Sequence, residues 1–187
     1  MDRLIKPRPV KLPKIEAARR QIESAIWLWF VDEDIVSVHT LTAAAHRLLL
    51  ELAHLWGETT LPFTSAYLPG RGDDKPRKIS PRDPAAFFKN AKDDETYHLC
   101  ERWTELYLFD AVMAYSHLTH NRRVSLLMAL FTVRFGVERE DLFAHGVFGF
   151  LENKVSEYFN AERLSHLSKI EFLQEFLGPT GGLRAES

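Results

Sequence analysis

The sequence predicts an all-α protein: a compact helical bundle that opens on an antiparallel helix hairpin. Apolar residues recur at steps of three and four over long windows, and no strand-type alternation runs beyond four residues. The prolines fall only between the periodic stretches. A length of 187 residues with 45% hydrophobic content suits one domain with an ordinary core and no covalent staples.

Residues 1–12 carry Arg3, Lys6, Arg8 and Lys11 with two prolines, and read as a flexible basic arm. Pro13 sits where a first-turn proline is tolerated, and a helix is expected from there to about Val31. Its apolar positions are Ile15, Ala18, Ile22, Ile26 and Trp29. The end of that helix, Trp27 to Val31, is apolar on every side, so either the bundle encloses it or a partner covers it. Trp27, Trp29 and Phe30 are therefore candidate homodimer contacts, tryptophan being a common interface anchor.

Asp32-Glu33-Asp34 breaks the pattern, and Ser37 is the expected N-cap of a second helix. That helix follows Val38, Leu41, Ala45, Leu48, Leu52 and Leu55 to about Trp56. Two long amphipathic helices joined by a short connection make the hairpin. Residues 57–84, rich in proline and charge, read as a long loop. A short helix follows through Phe87-Phe88, then a third long helix over about 94–119, and a fourth, apolar nearly all round, over about 122–135. A last helix is expected from Ala161 to Leu177 and a loose tail after it, so the domain spans 13–178 and the tail 179–187.

Composition narrows the function classes. Cys100 is the only cysteine, which excludes an internal disulfide and Cys-rich zinc sites and favours a reducing compartment. No apolar run approaches the roughly 20 residues that cross a bilayer, and the first residues lack a secretory apolar core, so a cytoplasmic protein without membrane association is expected. A net charge of −2 argues against a dedicated duplex-DNA binder. Phosphate-binding glycine loops, dinucleotide fingerprints, HExxH and nucleophile elbows are missing from the chain, and no cofactor or metal is expected. Glu95-Thr-Tyr-His98 is a lone ExxH where a di-iron bundle needs two.

The second and third helices hold the candidate binding residues. His39 and His46 lie one heptad apart, about 10 Å along the axis, too far to share one metal. The third helix shows the stripe Leu99, Trp103, Leu106, Asp110, Met113 and His117, an aspartate inside an apolar line. A buried carboxylate is costly unless paired, so Asp110 is expected to meet His39 or His46. Lys89 and Asp93 are further binding candidates.

Ala17-Ala18-Arg19-Arg20-Gln21, the run Asp34 to Ala45 and the segment Phe87-Phe88-Lys89-Asn90-Ala91-Lys92-Asp93 resemble a family of uncharacterised bacterial proteins. The family pattern has a histidine at the place of Asn90 and an Arg-Asp pair at Lys92-Asp93. The resemblance covers most of residues 14–135 and implies a single helical domain without naming an activity. More remotely, residues 14–56 look like the first hairpin of HEPN-type domains, helical bundles of defence and toxin–antitoxin systems. Some of these are RNases with an Arg-x(4–6)-His motif. Arg139 to His145 fits that spacing beside a glycine-marked break, and Arg47 to His54 fits it on a continuous helix.

Three functions follow as expectations: a non-enzymatic interaction or structural protein, self-associating through the aromatic end of the first helix; a HEPN-like RNase with Arg139 and His145 as catalytic pair; and a small-ligand-binding bundle with Asp110 and His39 in an apolar pocket between the second and third helices.

Overall fold

The computed structural model describes residues 11–58, 61, 99–138, 164 and 166–177. Most of the basic arm, the bulk of the 57–84 loop, the Phe87-Phe88 helix and the 179–187 tail lie outside them. The described residues form five helices: α1 (Lys14–Phe30), α2 (Ile35–Leu55), α3 (Glu101–Leu118), α4 (Leu126–Glu138) and α5 (Lys169–Leu177). No strand occurs among the described residues, and no helix among them is long and apolar enough to cross a membrane.

The hairpin is present and forms the most extensive helix contact. α1 buries Ala18, Ile22, Ala25, Ile26, Trp29 and Phe30, one face at three- and four-residue steps. Lys14 near the start of α1 reaches Glu51 near the end of α2 at 3.9 Å, so the two run antiparallel. α3 then lies parallel to α2. His39 meets Thr104, His46 meets Asp110, and Glu58 just past α2 lies 3.5 Å from His117. α1 also packs on α4 and α5, with the Trp29 ring edge-on to Phe131 and Phe30 stacked on Phe172.

Local chemistry sets the helix ends. α2 is capped by Asp34, not Ser37: the Asp34 carboxylate accepts the backbone N–H groups of Val36 and Ser37, and Ser37 donates its hydroxyl to the same carboxylate. These donors, the Ser37 hydroxyl first, hold the Asp34 carboxyl below its ordinary value. The last helix starts later than periodicity predicts because Ser168 and Glu171 form a capping box. The Ser168 N–H donates to Glu171 Oε2 at 2.8 Å, and the Glu171 N–H returns to Ser168 Oγ at 3.3 Å.

Three helices close with the same device, in which the residue after the C-cap turns left-handed and its neighbour's N–H reaches back to a carbonyl five residues earlier. Gly57 does this after α2 at φ 79° without strain. Asp32 after α1 (φ 55°) and His120 after α3 (φ 50°) adopt the conformation with a Cβ present. His120→Gly is therefore expected to raise stability by about 1 kcal/mol, read as a thermal midpoint about 2–4 °C higher.

Two expected helix faces shift. On α3 the buried side is Thr104, Glu105, Leu108, Phe109, Ala111, Val112, Tyr115 and Leu118. The predicted stripe lies on the flank: Trp103 and His117 are exposed, and Leu99, Leu106, Asp110 and Met113 are half-buried. On α4, Phe131 and Phe135 enter the core while Leu126 stays 59% exposed, so α4 is a core-facing helix and not one surrounded by it.

Candidate functional site

The α2–α3 seam brings three of the predicted residues together. His46 and His39, one heptad apart on α2, both face α3, and each is about nine-tenths buried or more. His46 Nε2 donates to Asp110 Oδ2 at 2.7 Å, an interhelical pair with 7% and 16% of the two side chains exposed. His39 takes a different partner: its Nδ1 lies 3.0 Å from Thr104 Oγ1. The Thr104 hydroxyl donates to the Cys100 carbonyl, so it accepts from His39, which places a proton on Nδ1. Between the two histidines stands the Tyr107 ring, 4.6 Å from the His46 ring and 5.8 Å from that of His39.

Asp110 thus meets one of the two predicted partners. Its carboxylate orients the His46 ring, the first half of a base–orienter arrangement. The rest of the seam works as packing: Thr104 is spent on His39 and Cys100, and Tyr107 lies against imidazole rings. Lys89, Asp93, Arg139 and His145, and with them the RNase motif and the phenylalanine-pair segment, lie outside the described residues.

A second polar cluster, which periodicity does not indicate, sits at the other side of α3. Glu105 is 2% exposed. Its Oε1 accepts the Trp29 indole N–H at 2.8 Å and lies 3.5 Å from Lys169 Nζ. The ammonium also stands 4.4 Å from the Trp29 ring centre, within cation–π range. Beside it Arg134, 5% exposed, donates to Glu138 and to the Leu164 carbonyl at 2.6 Å and covers the Phe172 ring. Glu105 has a legible signature after the fact, since it precedes Leu108, Phe109 and Val112 by three, four and seven residues on the buried face. Lys169 and Arg134 join it only through tertiary packing.

A cleft of about 360 Å³ opens beside this cluster, lined by Phe30, Val31, Asp32, Arg134, Glu138 and Lys169 among others. It lies between α1, α4 and α5, away from the α2–α3 seam where an apolar ligand pocket is expected. In the seam itself His39, Asp110 and their neighbours contact one another.

The aromatic end of α1 divides. Trp29 (2% exposed) and Phe30 (0%) are core residues, held by Phe131, Phe172 and Glu105, so they are not surface contacts; Trp27 alone of the three reaches solvent, at 36%. α4 and α5 cover the Trp29–Phe30 side of the helix end, while the Trp27 side remains apolar and open to solvent. Comparison with protein-family models, with curated proteins and with solved structures finds no match to this chain.

Proposed function

We propose that the chain is a non-enzymatic interaction protein, a helical bundle that works by presenting its surface to another protein molecule. The observation that carries this reading is the placement of tryptophan. Trp27, Trp56 and Trp103 stand 36%, 51% and 46% exposed, and Leu55 beside Trp56 is 69% exposed. Tryptophan has a large apolar area to hide and is highly buried on average, while at interfaces it is enriched as an anchor. Among the described residues, the polar groups of the α2–α3 seam and of the Glu105 cluster are meanwhile engaged in joining helices: His46 with Asp110, His39 with Thr104, Glu105 with Trp29 and Lys169.

In-cell crosslinking tests the reading. The tagged wild-type chain is expected in complexes heavier than its own 21.6 kDa, with crosslinks beside the exposed tryptophans. The triple variant Trp27→Ser, Trp56→Ser, Trp103→Ser is expected to keep its helical circular dichroism and lose those complexes. Recovery of wild type only as a 21.6 kDa species, or complexes that persist unchanged in the triple variant, overturns it.

A further inference from the structure

Charge is sorted along the bundle axis. One end holds the start of α1, the close of α2 and α3, and the turn into α4. The Lys14–Glu51 and His117–Glu58 pairs bring these together, and Arg123 acts electrostatically on Tyr115 from the same end, as Arg19 and Glu16 do. The described residues of this end carry seven lysines and arginines against four glutamates. Arg122 and Arg123 are exposed in the turn, and Leu55 and Trp56 are exposed at the same end of the bundle.

The opposite end is acidic. Asp32-Glu33-Asp34 make the α1–α2 turn, Glu101 opens α3 and Glu171 opens α5. Lys169 ties them into one surface, 3.6 Å from Asp32 and 4.0 Å from Glu101. On this surface Asp32, Glu33, Asp34, Glu101 and Glu171 stand against Arg102 and Lys169. It too exposes large apolar side chains: Trp103, Val36 (38%) and Trp27.

Acids at the N-termini of α2, α3 and α5 complement the helix dipoles, which accounts for part of the sorting. Dipoles do not account for bulky apolar groups at both ends, each set among charges opposite to those at the other. We infer that this chain associates head to tail with a second copy of itself, the basic end around Trp56 seated on the acidic end around Trp103 of the next. The inference rests on the interaction-protein reading and names the partner. Such a contact joins two different surfaces, so it repeats into rings or open filaments instead of stopping at a two-fold dimer.

The ends are small. A section through four helices, each about 10 Å across, offers about 400 Å² per molecule, half of what a standard interface buries on each side. The contact is therefore weak, and exposed charge makes it salt-sensitive.

Sedimentation equilibrium on the full chain tests it, from about 1 µM to 1 mM and at about 0.02 M and 0.5 M salt. Wild type is expected to grow in mass with concentration without stopping at a dimer, and at least about tenfold more weakly in high salt. Two variants block one end each: Trp56→Ser with Arg122→Ser and Arg123→Ser, and Trp103→Ser with Glu33→Ser and Glu101→Ser. With helicity retained, each alone is expected to lose self-association at least about tenfold, and a one-to-one mixture to form a dimer and nothing larger. A wild type that stays monomeric at the highest concentration in low salt overturns the inference, and leaves the interaction reading to its own crosslinking test. So does impairment of only one variant, which marks a two-fold contact, or failure of the mixture to pair. So does a monomeric chain whose basic end binds a fluorescent oligonucleotide and loses it in the Trp56 variant, since that end then serves a nucleic acid.

Discussion

Lys169→Met is expected to be among the most damaging single changes in the chain, lowering stability by about 3 kcal/mol and the thermal midpoint by about 6–12 °C. The substitution keeps most of the side-chain volume and removes the charge. Glu105 then remains a carboxylate at 2% exposure that still accepts the Trp29 indole N–H and has lost the Lys169 ammonium. Breaking a buried ion pair by taking one partner costs about 3–5 kcal/mol, because the surviving charge keeps its desolvation penalty. The lower figure applies because the Lys169 side chain is 17% exposed and stands 3.5 Å from the carboxylate. The double variant Glu105→Gln, Lys169→Met removes both charges and leaves an acceptor for Trp29, so it is expected to recover at least half of the loss. Urea midpoints at constant slope measure the cycle. A Lys169→Met midpoint equal to wild type, or a double variant worse than the sum of the singles, contradicts the account.

That cluster also shows where sequence reasoning succeeds and where it stops. The hairpin is legible because α1 and α2 each carry a periodic apolar face, and acidic turn residues separate them. On α3 the phase is ambiguous. Trp103, Leu106 and Met113 make one plausible stripe, and Leu108, Val112, Tyr115 and Leu118 make another. Small residues decide between them: Ala111 and Ala114 allow close approach of the neighbouring helices on the second face, and both are buried. Choosing the first stripe puts Asp110 in the core and Glu105 in solvent; the structure reverses the degree of burial, Glu105 being the more enclosed. The His46–Asp110 meeting survives the error because Asp110 sits at the edge of either face, within reach of α2. Lys169 cannot be read locally, since its partner Glu105 lies 64 positions away, and Arg134 only through Glu138 four positions on, its other partner Leu164 lying 30 away. Ser168-Lys-Ile-Glu171 was legible as a capping box, and only the strength of the surrounding periodicity hides it.

Asp110→Ala is expected to cost about 2 kcal/mol, and its chemistry bears on what the seam is for. The substitution strands the His46 Nε2–H in a site that is 6% exposed, and an unsatisfied buried donor costs about 1–3 kcal/mol. α2 and α3 are parallel and more than forty residues apart along the chain, so no tight turn fixes their register; the His46–Asp110 bond does, with His39–Thr104 one heptad away. His46→Leu with Asp110→Leu replaces the pair by apolar volume and is expected to cost less than the two singles summed, a coupling of about 1–2 kcal/mol. Asp110→Asn separates charge from hydrogen bonding, because the amide oxygen still accepts from Nε2. A loss below about 0.5 kcal/mol means that a neutral hydrogen bond holds the seam, and a loss nearer 2 kcal/mol means that an imidazolium–carboxylate pair does. Chemical denaturation of the three variants decides the matter. If Asp110→Ala unfolds at the wild-type urea concentration, the pair does not hold the helices. A buried histidine oriented by a carboxylate then has no structural task, and a proton-transfer or ligand-binding role for His46 becomes the reading to pursue.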